Sequence, residues 1–144
     1  MSSSRFEDFR SRFNEVARAS LASDMLTPQL RLDAEISLGD LSYSVLKQIE
    51  ALEPAGQGNP RVQVATRGLR IKGAPRQLGE NAQHLRFSVT DGHVSHQAVW
   101  WNCEQIEFPA SFDLAFAPEL NQFNGTYGIQ LRVLDLRAST VSSL

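Results

Sequence analysis

The sequence predicts a chain of α+β class that is mainly β: a five-stranded Greek-key barrel behind a helical and strand lead-in. Three observations carry that prediction. Arg5 to Leu21 repeats its apolar residues with the helical period. From Val62 to Arg137 the chain breaks into short runs in which polar and apolar residues alternate, as they do in half-buried strands. Between the two, Pro54, Gly56, Gly58, Asn59 and Pro60 crowd into one elbow that no helix can cross. The elbow divides the chain into a lead-in of residues 1–60 and a barrel of residues 61–144.

In the first helix Phe6, Phe9, Phe13, Val16 and Ala17 fall on one face, and Arg10, Arg12, Glu15 and Arg18 on the others. Three phenylalanines on one stripe call for a body to dock on. Gln29 to Ile36 alternates polar and apolar and reads as a strand after Pro28. Ser42 is placed to cap a helix carrying Val45, Leu46, Ile49 and Leu52, which ends before Pro54.

The first barrel strand starts with Val62 and Val64 on one face, then continues after Gly68 with Leu69 and Ile71 on the opposite parity. A glycine at such a phase flip is the mark of a β-bulge in a strongly bent strand. His84 to Thr90 alternates cleanly, with Leu85, Phe87 and Val89 inward and His84, Arg86 and Ser88 outward. Asp91-Gly92 turns the chain into a third strand, Val94 to Trp101, whose facing the consecutive Val99, Trp100 and Trp101 leave open. Phe112, Leu114 and Phe116 mark the fourth strand, Asn124-Gly125 a turn, and Ile129, Leu131 and Val133 the fifth. Five strands, a bent first one and a non-strand segment from Asn102 to Ala110 match the order of an OB-fold.

Composition narrows the function classes. A chain of 144 residues with 42% hydrophobic residues can bury a core, and no run approaches the ~20 apolar residues of a membrane span. The first residues lack the apolar run of a secretory signal. One cysteine, Cys103, cannot form an internal disulfide and fits a reducing, cytoplasmic setting. The net charge is −2, yet Arg61, Arg67, Arg70, Lys72 and Arg76 fall between Arg61 and Gly79 with no acidic residue among them. That stripe can follow a phosphate backbone, and ordinary solvated strand positions account for it equally well.

Catalytic constellations are absent. No phosphate loop, nucleophile elbow or zinc-protease motif occurs, and Gly56-Gln57-Gly58 follows a helix rather than a strand. His84 and His96 could face each other across a hairpin, but a zinc site needs further ligands and Cys103 has no second cysteine. No catalytic residue, metal ligand or cofactor is expected within these residues. Binding chemistry is better supported, because single-strand binders pair basic side chains with aromatic faces. Arg67, Arg70, Lys72, Arg76, Arg86 and Arg132 are the phosphate candidates. Trp100 or Trp101, whichever faces out, with Trp101 the first choice, and Phe123 or Tyr127 are the stacking candidates; Asn121 and Gln130 could reach base edges, but capping strand ends is the simpler reading of each.

The ordered motifs add a resemblance. Leu52-Glu53-Pro54-Ala55-Gly56-Gln57-Gly58-Asn59-Pro60, His84-Leu85-Arg86-Phe87 with Asp91-Gly92, and Asn121 to Gly125 with Gln130-Leu131-Arg132 and Asp135-Leu136-Arg137 resemble the RecJ family of bacterial single-strand-specific DNA exonucleases. Ala55 departs from the aromatic usual at its position. The resemblance implies the tail of the DHH-associated domain in residues 1–60 and the OB domain in residues 61–144. It implies a module that holds single-stranded DNA for 5′-to-3′ degradation in recombination and repair. The Mn²⁺ or Mg²⁺ would sit in a catalytic DHH domain outside these residues. An alternative of another class is a structural or protein-interaction module that closes the exonuclease core or recruits a repair partner. The acidic first 60 residues and the near-neutral total charge favour that alternative.

Overall fold

The longest strand in the computed structural model, β2 (Val64–Leu78), owes its course to two glycines. Gly68 and Gly73 adopt φ of +69° and +79°, and the pairing register shifts beside each. Left-handed backbone is cheap only for glycine, so each position lets an extra residue into the ladder and bends the strand. The first half of β2 pairs with β5 (Phe112–Phe123), the second half with β3 (His84–Thr90). The bulge read from the phase flip at Gly68 is therefore present. The structure describes residues 3–21, 25, 27–52, 54, 56, 58–103 and 106–140.

β3 continues into β4 (Ser95–Trp100) through a connection of residues 91–94, tied by the Asp91 carboxylate, which accepts the N–H groups of His93 and Val94. β4 runs parallel to β6 (Thr126–Ala138), and β6 pairs along its length with β5 through the turn at Asn124-Gly125. Both turn residues have positive φ, +50° and +80°, as a two-residue hairpin turn requires. The order β2-β3-β4-β6-β5 closes on itself through the β2–β5 pairing. This is the expected five-stranded Greek-key barrel.

A sixth strand, β1 (Ala34–Glu35), pairs parallel with Val64 and Ala65 at the start of β2. The strand expected over Gln29 to Ile36 shrinks to these two residues. Ala34 stands opposite Val64, the first residue of β2, and the preceding Asp33 donates its N–H to the Gln63 carbonyl at 2.7 Å, where β2 has not yet begun. After β1 come a short 3-10 helix, Leu38–Asp40, and α2 (Tyr43–Glu50), whose cap Ser42 accepts the Val45 N–H at 3.3 Å. Leu38, Leu41 and Leu46 are buried in the same core as Leu69, Phe87, Val89, Phe112, Leu114, Phe116 and Leu131. Phe108, in the segment between β4 and β5, packs onto Phe87 and Phe112 with ring centroids 4.8 and 5.7 Å apart.

One compact unit spans Leu32–Leu144 and a second Met1–Arg31. The second contains α1 (Ser3–Ser20), whose Phe6, Phe9, Phe13 and Val16 are exposed and whose Phe9 and Phe13 rings stack at 6.0 Å. Among the described residues no helix is long and apolar enough to cross a membrane.

Candidate nucleic-acid interface

Side chains alternate across a strand, so the buried Phe87, Val89, Ala98 and Leu131 assign their neighbours to the outer face. The registers then line those neighbours up across four strands. One row reads Lys72, Ser88, Gln97, Gln130; the next reads Arg76, Arg86, Val99, Arg132. At about 4.8 Å per strand each row runs roughly 14 Å across β2, β3, β4 and β6. Arg70 extends the basic surface opposite Thr90.

The second row sets Arg76 directly opposite Arg86, a like-charge pairing that costs stability in a sheet. Arg132 joins them on the far side of Val99. Glu119 on β5 is the acidic neighbour, 4.0 Å from Arg132 and 2.8 Å from Arg61.

The first row is a hydrogen-bonding floor. The Gln97 amide donates to Ser88 Oγ at 3.0 Å, the Asn121 amide donates to Gln130 Oε1 at 2.9 Å, and Lys72 Nζ donates to Ser95 Oγ at 3.0 Å. Arg86, Gln97, Asn121, Tyr127, Ile129 and Gln130 are among the residues lining a groove of about 360 Å³ beside the β5–β6 hairpin. Tyr127, 51% exposed, meets Tyr43 of α2 edge-on at 5.7 Å, and Lys47 Nζ lies 5.9 Å from its ring centre. A hydrogen bond to Glu50 at 2.7 Å holds the Lys47 ammonium above its ordinary pKa of 10.5.

Of the residues singled out in the sequence, Arg70, Lys72, Arg76, Arg86 and Arg132 thus share one face. Trp101 follows directly on β4 with the outward parity of Gln97 and Val99 and is 46% exposed, whereas Trp100 packs on the core. Arg67 stays outside both rows: it sits beside the Gly68 bulge and pairs with Glu35 of β1 at 2.8 Å. The backbone of Phe123 pairs with Thr126 at the hairpin tip, and its side chain lies outside the described residues. At the elbow the Asn59 amide donates to the carbonyls of Leu52 and Pro54, and Gly56 and Asn59 exchange two backbone bonds of 2.8 and 3.0 Å. Pro54, Gly58 and Pro60 belong to the same turn; Glu53, Ala55 and Gln57 lie outside the described residues.

The register also separates the two histidines considered for a metal. His84 stands opposite Leu78, His96 opposite Val89, and His96 Nε2 is 3.2 Å from the Leu38 carbonyl. Among the described residues no group of three His, Cys, Asp or Glu side chains could hold an ion. Ser88 and Gln97 were missed by sequence reasoning. Counting back across the β3–β4 turn is the signal that could have paired them.

Comparison with known proteins follows the same lines. The family model described as the RecJ OB domain matches residues 32–135. The single-stranded-DNA-specific exonuclease RecJ of Bacillus subtilis is 23% identical over 136 residues, 92% of this chain and 17% of the relative. RecJ of Thermus thermophilus in complex with Mn²⁺ superposes with a TM-score of 0.73 at 23% identity, over 98% of this chain and 20% of that one. Its Mg²⁺ complex gives the same score. The chain thus spans about a fifth of the length of the relatives it matches.

Proposed function

This chain belongs to the RecJ OB-domain family, and we propose that its outer barrel face holds single-stranded DNA for a RecJ-like 5′-to-3′ exonuclease in cytoplasmic recombination and repair. The observation that carries this reading is the arginine row, Arg76, Arg86 and Arg132, beside a row of hydroxyl and amide groups. Guanidinium groups bind phosphate through paired, charge-assisted hydrogen bonds. Amides and hydroxyls in the adjacent groove serve base edges or sugars, and exposed rings serve base faces. We place cleavage outside this face, among whose described residues no group of three His, Cys, Asp or Glu side chains could hold an ion. We assign that step to a DHH core in the parent protein, served by Mn²⁺ or Mg²⁺, the ions with which the Thermus relative was crystallised. The helix of residues 3–20 belongs, in this reading, to the tail of the DHH-associated domain.

Titration of a fluorescent single-stranded oligonucleotide, beside a duplex control, at two salt concentrations tests the proposal. Binding is expected to prefer the single strand and to weaken with salt. Arg76→Ala with Arg86→Ala should weaken it for every sequence and flatten the salt slope by about 0.7 for each phosphate that is no longer neutralised. Unchanged affinity and slope in that variant would show that the strand does not cross this face.

A further inference from the structure

Trp101 is held against His84 at the start of β3. One step along β4 from the arginine row, about 7 Å, its ring lies against His84, centroids 4.7 Å apart and planes at 68°. His84 Nδ1 accepts the Asn102 N–H at 3.1 Å, so the histidine grips both the ring and the backbone that follows it. Asn102 itself is left-handed, with φ of +51°. In the turn between β2 and β3, Gly79 takes φ +90°, which favours glycine; Ala82 is left-handed at φ +51°; and Cys103 N–H is tied back to the Gln83 carbonyl at 3.0 Å. Asparagine takes the left-handed conformation readily, whereas for alanine it is a sparsely populated state that the surroundings must support.

What this arrangement displays is a large ring, nearly half exposed, beside a phosphate-binding row. The His84 contact covers one side of the indole and leaves the rest of the ring open to solvent. We propose that Trp101 is the stacking seat for one unpaired nucleobase and that His84 is the positioning residue that keeps the seat open. The proposal rests on the reading of this face as a single-strand platform, and it places a base beside the arginine row. A nucleotide with its phosphate in that row has its base within reach of the ring. A fixed ring binds a base more tightly than a mobile one because its rotamer freedom is already spent. Duplex DNA, its bases stacked on each other, offers no free face to the seat.

The experiment uses the whole chain and reads tryptophan fluorescence and affinity together. The ligands are an oligothymidylate of about eight nucleotides, within the site size of one barrel, and an abasic strand of equal length. Quenching is expected with the thymidylate and not with the abasic strand, against the constant signal of Trp100. Trp101→Ala should abolish the quenching and weaken thymidylate binding about 5- to 100-fold, leaving abasic binding as it was. Trp101→Phe should keep most of the affinity. His84→Ala should lose affinity for the thymidylate alone, and His84→Asn, whose Oδ1 can stand in for Nδ1, should recover part of it, both judged beside their melting curves. If Trp101→Ala binds thymidylate like the parent, the seat is wrong while the arginine row stands. If His84→Ala binds like the parent, the positioning role is wrong. If the parent chain binds neither strand at low salt, the platform reading fails, and the seat with it.

Discussion

The Asp113 carboxylate is all but buried on β5, its side chain 8% exposed, and it collects three donors: Ser139 Oγ at 2.6 Å, Arg137 Nε at 3.1 Å and the Gly68 N–H at 3.2 Å. Burial on its own would raise its pKa. The bonds from Ser139, Gly68 and Arg137 outweigh that and hold it below its ordinary value of 3.8. A carboxyl lowered in this way stabilises the folded state fully above the ordinary value, and the contribution fades as pH falls through the folded one. Asp113→Asn is therefore expected to cost about 1.5–3 kcal/mol in urea unfolding at pH 7. The gap between the two proteins should narrow below pH 3.8; a gap that stays constant down to about pH 2 would show that the charge is not what matters. The sequence did not single out Asp113, because its donors lie 45, 24 and 26 residues away.

At the level of elements, β2 shows how far local pattern reaches. The parity change at Gly68 was legible because a strand's period of two makes any one-residue slip visible. With φ at +69° and nothing within 4 Å of a Cβ placed there, Gly68→Ala meets a conformational cost and no clash. A loss of about 1–2 kcal/mol is expected in thermal or urea unfolding, and an unchanged midpoint would mean the bulge relaxes. The facing of β4 was not legible. Val99, Trp100 and Trp101 are all large and apolar, and Val99 is buried, 2% exposed, although it stands on the outer face between Arg86 and Arg132. Hydrophobicity alone could not order them; pairing with β3 on one side and β6 on the other did. The strand expected over Gln29 to Ile36 failed for the complementary reason, since alternation says that a segment can pair and not that a partner lies beside it.

For the unit of residues 32–144, Leu38, Leu41 and Leu46 of the lead-in share one core with the barrel. Leu38 is fully buried, Leu46 is 1% exposed and Leu41 7%. Truncating a buried leucine typically costs about 2–5 kcal/mol, so losing all three rivals the entire stability of a domain, about 5–15 kcal/mol. A chain starting at Leu32 should keep a cooperative thermal transition by circular dichroism, and one starting at Arg61 should lose it. Cooperative folding of the shorter chain would mean that the lead-in is dispensable. Charge belongs to this scale too. The net value of −2 hides a face whose two rows and flank carry Arg70, Lys72, Arg76, Arg86 and Arg132.

The sequence by itself determined the barrel class, the bulge at Gly68, the capped helix after Ser42 and the ordered motifs of the family. These are local properties: periodicity, turn chemistry and backbone freedom act over a few neighbouring residues. Only the tertiary structure decided which cations stand together, that Arg67 turns away to Glu35, and that His84 braces Trp101. Those outcomes depend on register between strands far apart in the chain. Register is set by the joint burial of the barrel strands and the lead-in, and no stretch of sequence carries that information alone.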